Sequence, residues 1–304
     1  MGLSLADIER ITAWQQGDLI FQVGVSGGKD SAAALLWLVR ESGLPVAKIQ
    51  ATFCDIGNDH EWTIEHVRLL SDRVHPIETI KPPLDFFELA RKKTRFPSAK
   101  ARFCTEHLKV RPTQAHLEAL QQAGKKIVAV SGVRADESFE RAQLEEFEFS
   151  DALGCYQWRP LLGWKIEDVR AIHERHGIPL NPLYALGAQR VGCWPCIMSR
   201  KAEIRTIALK FPERIDEIRA AEERFERERG RYSSFFARNM VPPRFRSKDF
   251  LQDGTPVPDP ETGGTMKIAT IDDVVRWSMT GNRAQGSYLD EVGSERPCQS
   301  GFCE

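Results

Sequence analysis

No apolar run in these 304 residues is long enough to cross a bilayer, which argues against a spanning helix. The opening residues, Met1-Gly2-Leu3-Ser4-Leu5-Ala6-Asp7, lack the basic start and following apolar stretch of a secretory signal. Neither sign of charge is in excess: 42 Lys and Arg stand against 43 Asp and Glu, a net charge of -1 at pH 7. Any affinity for nucleic acid or a membrane surface must then come from a local patch. Internal repeats and low-complexity tracts are missing too. These absences predict a globular protein of the reducing cytoplasm, where its 7 cysteines serve as thiols or metal ligands rather than in disulfides. The length suits one large domain with appendages, or two modest ones.

Ile20-Phe21-Gln22-Val23-Gly24-Val25 is a short apolar run ending before serine and two more glycines, and it predicts a buried strand. Ser31 to Arg40 predicts a helix, Val46 to Phe53 the next strand, and Thr63 to Val74 another helix. Lys126 to Val130 predicts a third strand, entered through Gly124 from a helix over Pro112 to Ala123. Strands alternating with helices imply an α/β fold, a doubly wound parallel sheet with helices on both faces. Ligands of such sheets bind beyond the carboxyl ends of the strands. After Gly163 the pattern changes. Ile166 to His176 predicts a helix, and Gly177 to Tyr184 is stiffened by Pro179 and Pro182. Ala202 to Arg229 is a charged helical stretch with a break expected near Pro212, and Asp253 to Gly264 is turn-prone. A boundary near Arg200 divides a domain of residues 1–200 from a helical, loop-rich region of residues 201–304.

The loop Ser26-Gly27-Gly28-Lys29-Asp30-Ser31 joins the first strand to its helix. Glycines there let backbone N–H groups turn towards a phosphate, and the helix adds the positive end of its dipole. Lys29 is expected to neutralise phosphate charge, Ser31 to cap the helix while donating to an oxygen, and Asp30 to cap or to orient a metal. The nucleotide-loop pattern G-x-x-x-x-G-K-[S/T] does not fit, because Asp30 follows Lys29 and Val23 stands where the first glycine belongs. A tight turn without ligand is the bland alternative. Asp55 at a strand end is suited to a ribose hydroxyl, a metal or its own turn. Arg134 and Arg141 suit phosphate or sulfate, or pairing with Asp136, Glu137 or Glu140. Cys193-x-x-Cys196 is ready for metal or redox chemistry. Arg91, Lys92, Lys93, Arg95, Lys100 and Arg102 form a basic stretch able to track a polyanion. A second stretch, Arg229 to Phe250, interleaves arginines with Tyr232, Phe235 and Phe236, as base-stacking surfaces or as buried aromatics beneath a solvated face.

The hexapeptide Ser26 to Ser31 resembles the signature loop of the PP-loop ATP pyrophosphatases, and about Phe21 to Ser199 is similar to their PAPS reductase-like branch. Four more segments carry the likeness: Phe53 to His60, Ser131-Gly132-Val133-Arg134 to Arg141, Trp158 to Tyr184, and Gly192-Cys193-Trp194-Pro195-Cys196. The resemblance implies an adenine-nucleotide site at Ser26, Gly27, Gly28, Lys29, Asp30, Ser31, Asp55, Gly132, Arg134 and Arg141, with Lys29, Asp30 and Arg134 catalytic. It implies ATP or a sulfonucleotide as ligand, with Mg²⁺. Cys104 stands where iron–sulfur members have the first of two adjacent cysteines before Lys109-Val110-Arg111-Pro112, and Thr105 replaces the second. Cys104, Cys193 and Cys196 are thereby implied as ligands of a 4Fe-4S cluster. Its fourth position is left open or closed by Cys54, Cys155, Cys298 or Cys303, with zinc on the three thiolates and His107 as the alternative. The implied function is an ATP-dependent, pyrophosphate-releasing sulfur transferase acting on nucleic acid, fed by a cysteine desulfurase or thiol reductant. The alternatives are a sulfonucleotide reductase producing sulfite and a non-catalytic nucleotide-binding regulator.

Overall fold

The structure, a computed structural model, describes residues 4–281 apart from 14, 237–239, 253 and 261–262. In chain order its main elements are α1 (Leu5–Ile11), β1 (Asp18–Gly24), α2 (Lys29–Arg40), β2 (Ile49–Cys54), α3 (Glu61–Arg73), β3 (Ile77–Ile80) and α4 (Phe86–Lys92). There follow α5 (Arg111–Gln122), β4 (Lys125–Val130), β5 (Phe147–Ser150), β6 (Cys155–Trp158), α6 (Ile166–Arg175), α7 (Lys201–Lys210), α8 (Pro212–Arg229) and α9 (Ile271–Ser278).

Six strands form one sheet in the order β3-β2-β1-β4-β6-β5. All neighbours pair in parallel except β5, which runs antiparallel to β6 along one edge. The chain winds from β1 through β2 to β3 on one side, then returns to β4 on the other. The order therefore reverses between β1 and β4, which opens a crevice beyond their carboxyl ends. Burial follows the pleat. Phe21, Val23, Val128 and Val130 point into a core completed by Ala32 to Leu36 of α2 and by Val169 and Ile172 of α6. The alternate residues Ile20, Ile127 and Ala129 meet Leu117 of α5 on the opposite face. Helices thus cover both faces, as expected. The α5 face differs in one respect: Gln22, Thr52 and Gln157 occupy its inward positions at 3%, 5% and 6% exposure.

The differences from expectation lie in short pieces. Val46–Lys48 is a single 3-10 turn, and β2 begins only at Ile49. β3, β5 and β6 were not anticipated, since four residues each between turns carry too little pattern to read. The turn-prone stretch contributes to two small antiparallel pairs, Leu251–Gln252 with Thr255–Pro256 and Lys248–Asp249 with Lys267–Ile268. A single cut near Arg200 does not describe the packing. Residues up to Pro83 cluster with Thr105–Trp194, whereas Leu84–Cys104 cluster with the described residues from Pro195 to Gly281.

The second unit has its own core. Phe96 packs on Phe225 at 4.8 Å and on Phe235 at 5.2 Å between ring centroids, and Phe86 meets Phe235 at 5.7 Å. Phe235 and Phe236 are therefore buried and cannot stack on bases. Glu222 of α8 sits beneath them at 1% exposure. Its carboxylate accepts from the Phe235 N–H (2.8 Å), the Ile271 N–H (2.8 Å) and the Tyr232 hydroxyl, joining α8 to the following loop and to the start of α9. Burial pushes its pKa up to about 7 from an ordinary 4.5, against the pull of those three donors. The folded unit thus holds a proton that the unfolded chain has released. Its stability is fully present below about pH 4.5 and falls as pH rises to about 7, by roughly 3 kcal/mol. Hydrogen exchange of the α8 and α9 amides across that range is expected to show this loss of protection, and Glu222→Gln to flatten it. A flat wild-type profile would contradict the assignment.

A candidate nucleotide site at the strand ends

β1 ends at Gly24, and Val25 still donates its N–H to Thr52 O at 2.8 Å. The chain then turns on two hydroxyls. Ser26 N–H donates to Ser31 Oγ (3.1 Å), Gly28 N–H donates to Ser26 Oγ (3.2 Å), and Ser31 Oγ donates to Gly28 O (3.1 Å). Ser31 thus ties the loop together instead of capping α2. The N-cap is Gly28, and no side chain caps the helix, so its positive end is left for an anion. Two glycines make the turn possible. Gly27 has φ +78, and a Cβ there would fall 2.6 Å from Thr63 Cγ2. A Cβ on Gly132 would lie 2.4 Å from the main-chain oxygen of Asp30, so only glycine lets the end of β4 pass this close.

The loop is held from behind by the segment after α6. Asn181 Nδ2 donates to Gly27 O and to Thr63 Oγ1, both at 3.2 Å. His173 Nε2 lies 3.0 Å from Lys29 O, and the Tyr184 hydroxyl accepts from Lys29 N–H at 3.1 Å. The stretch through Asn181-Pro182-Leu183-Tyr184, legible in sequence as a stiff edge, is a brace for the loop backbone. Its 3-10 turn, Pro182–Leu186, starts from the Asn181 cap.

Charge is organised around Asp30, which is 2% exposed. Lys29 Nζ lies 2.6 Å from Asp30 Oδ2, and Arg134 Nε lies 2.6 Å from Asp30 Oδ1. Asp30 is pinned between two cations, neither capping the helix nor presented to a metal. Burial alone would lower the Arg134 pKa, but Asp30, helped by Asp136 and Glu137, more than reverses that and raises it. Arg141 pairs with Glu137. Of the carboxylate partners foreseen, Asp136 pairs with Arg134 and Glu137 with Arg141, while Arg134's buried partner Asp30 was not foreseen; both arginines are buried. Lys29 keeps its side chain partly exposed at 18%.

A cavity opens against this loop. Ser26 and Ser31 line it, together with Thr52, Cys54, Asp59, Lys109, Thr113, Ser131 and Gly132, and with Gln22, Leu117, Leu153 and Gln157 from the α5 side of the sheet. Asp55 is not in its wall: Oδ1 accepts from Gly57 N–H at 3.1 Å, so the residue stabilises its own turn. Asp59 and Lys109 take places in the wall that the sequence did not assign. Lys109 could have been found, since it opens the Lys109-Val110-Arg111-Pro112 segment. Gln22 and Ser131 could also have been found, as a polar residue inside an apolar strand and one at a strand end.

Cys104, Cys193 and Cys196 are all half-buried thiols, Cys193 in the first compact unit and Cys104 and Cys196 in the second. Two of the suggested fourth ligands are thiols whose pKa burial raises. Cys155 is fully buried in β6, its pKa pushed up to about 11 by burial, and burial also raises that of Cys54, which contacts Thr113 Oγ1 at 3.5 Å. Cys298 and Cys303 lie outside the described residues. In the basic stretch Arg91 pairs with Glu228 at 3.0 Å and Arg95 stands over the Phe103 ring, while Lys92, Lys93 and Lys100 are exposed and Arg102 is half-buried. Among the described residues no helix is long and apolar enough to cross a membrane.

Fold and site together define a nucleotide-binding α/β domain with a phosphate loop at the switch point of its sheet. The chain belongs to the phosphoadenosine phosphosulfate reductase domain family, whose model matches residues 21–199. It is 34% identical to an uncharacterized 37.8 kDa protein from the gpa 5' region of Escherichia phage 186, over 64% of this chain and 72% of that one. It is 32% identical to an adenosine 5'-phosphosulfate reductase of Burkholderia cepacia over 30% of this chain, and spans only 38% of that reductase. A solved phosphoadenylyl-sulfate reductase from Candida auris, in complex with phosphate, aligns over 64% of this chain and 98% of its own at 18% identity and TM-score 0.47.

The loop geometry can be tested on stability. Asp30→Ala removes the shared partner of two cations, one of them buried, and is expected to cost about 3–5 kcal/mol in denaturant melts. Gly132→Ala is expected to be destabilising as well, because backbone rather than a flexible side chain fills the space. A variant as stable as the parent would show that the loop is packed otherwise.

Proposed function

We propose that this chain binds ATP as its Mg²⁺ complex and cleaves it between the α and β phosphates, activating an acceptor for sulfur transfer. What carries the reading is the complete Ser-Gly-Gly-Lys-Asp-Ser loop, backed by a brace and facing a cavity. A nucleoside monophosphate or sulfonucleotide does not need a pyrophosphate cradle. An ATP-cleaving enzyme does.

In this mechanism the uncapped start of α2 and the Lys29 ammonium hold the β and γ phosphates. An acceptor oxygen attacks the α phosphorus, the bond from that phosphorus to the bridging oxygen breaks, and pyrophosphate leaves with the electron pair. A sulfur nucleophile, supplied by a cysteine desulfurase or a thiol donor, then displaces AMP from the adenylylated acceptor. Charge stabilisation and positioning supply most of the rate. Asp30 orients Lys29 before substrate arrives, and Arg134 keeps Asp30 in place when Lys29 turns to phosphate. The exposed lysines of the basic stretch support nucleic acid as the acceptor.

The reading of the chain as a sulfonucleotide reductase is favoured by its likeness to adenosine 5'-phosphosulfate reductases. One assay separates the two: protein prepared without oxygen is given labelled ATP with candidate nucleic acids, or phosphoadenosine phosphosulfate with a thiol reductant. AMP and pyrophosphate support the proposal, sulfite supports the reductase, and turnover of neither leaves a nucleotide-binding regulator. Lys29→Ala is expected to lower pyrophosphate release by roughly 10²–10³-fold while still folding, with Arg134 left as the partner of Asp30. Undiminished release would remove the loop from the mechanism.

A further inference from the structure

The cavity wall holds two polar atoms that no group among the described residues satisfies. Gln22 lies within β1, and its Nε2 donates to Thr52 Oγ1 at 2.9 Å. That leaves Gln22 Oε1 buried without a hydrogen-bond partner, and Ser131 Oγ, at the end of β4, is in the same condition. The two residues are 3% and 9% exposed, and both line the cavity that Ser26 and Ser31 also line. Buried polar atoms in folded proteins are nearly always paired, so two orphans facing one cavity mark the place of a ligand group.

Their chemistry says which group. Gln22 Oε1 can only accept, so it calls for an N–H or O–H donor. The Ser131 hydroxyl can donate to a neighbouring nitrogen lone pair. Four residues of extended chain, about 13 Å, separate Gln22 from Ser26. A nucleotide anchored by its phosphates at the loop would extend its base towards Gln22. Leu117, Ala129 and Leu153 provide apolar wall for the ring. Adenine presents an exocyclic amino donor beside a ring-nitrogen acceptor. A 6-oxo purine would set a carbonyl oxygen against Gln22 Oε1.

We propose that Gln22 and Ser131 determine base specificity, Gln22 Oε1 accepting from the 6-amino group of adenine and Ser131 donating to the adjacent ring nitrogen. The inference rests on the reading of the loop as a nucleotide phosphate site. It goes further in assigning discrimination to two side chains on the α5 face of the sheet, away from the phosphate machinery.

The test is titration calorimetry of the full chain with two matched pairs, ATP against ITP and AMP against IMP. The wild type is expected to bind the 6-amino member of each pair roughly ten- to a hundredfold more tightly. Gln22→Met, of similar length but without the acceptor, is expected to bring that ratio close to one, and Ser131→Ala to reduce it. Melting temperatures establish that each variant folds, and should Gln22→Met fail to fold, the wild-type ratios and Ser131→Ala decide. Equal binding of both members by the wild type overturns this inference and leaves the proposed function standing. So does a preference retained by folded Gln22→Met. Binding of neither pair overturns both.

Discussion

The turn between β1 and α2 is anchored through its carbonyl oxygens by side chains distant in sequence, and this anchorage organises the site. Asn181 holds the Gly27 carbonyl, and His173 faces that of Lys29. Both donors come from the segment that follows the sheet in sequence, so the turn between β1 and α2 is completed by residues some 150 positions away. Cooperativity follows from this arrangement. The phosphate loop has its working shape only when α6 and the turn after it are docked on the same core that α2 joins.

The buried charges obey the same logic. A carboxylate as enclosed as Asp30 is tolerated because a cation stands on each side of it, and Arg134 is tolerated because Asp30 and Asp136 face it. The arginines that a motif reading assigns to phosphate are in this structure consumed by carboxylates. At the loop itself Lys29, whose side chain is more exposed than those of Asp30 and Arg134, stands beside the helix start, and Lys109 lines the cavity. Binding a triphosphate then becomes an exchange of partners at Lys29, with Asp30 never left alone.

Much of this was legible in the residues. Alternating apolar runs and helical stretches specified a doubly wound sheet, since long central strands and amphipathic helices carry strong periodic signals. The loop was legible because its glycines, lysine and serines are contiguous. The short strands were not, and neither was the antiparallel course of β5, because four residues carry too little pattern to outweigh their turns. Asp55 was given a ligand role that its turn absorbs. The aromatic residues of the Arg229 to Phe250 stretch turned out to include the core of the second unit.

The residues alone determined which local shapes form and where phosphate chemistry could sit, because strand, turn and helix propensities act over a few neighbours. Only the tertiary structure decided which polar groups satisfy one another. It paired Arg134 with Asp30 across 104 positions and Gln22 with Thr52 across 30, and it left Gln22 Oε1 and Ser131 Oγ facing the cavity unsatisfied. Hydrogen bonds and ion pairs depend on distance in space, and that distance exists only once the sheet has brought β1, β2 and β4 side by side.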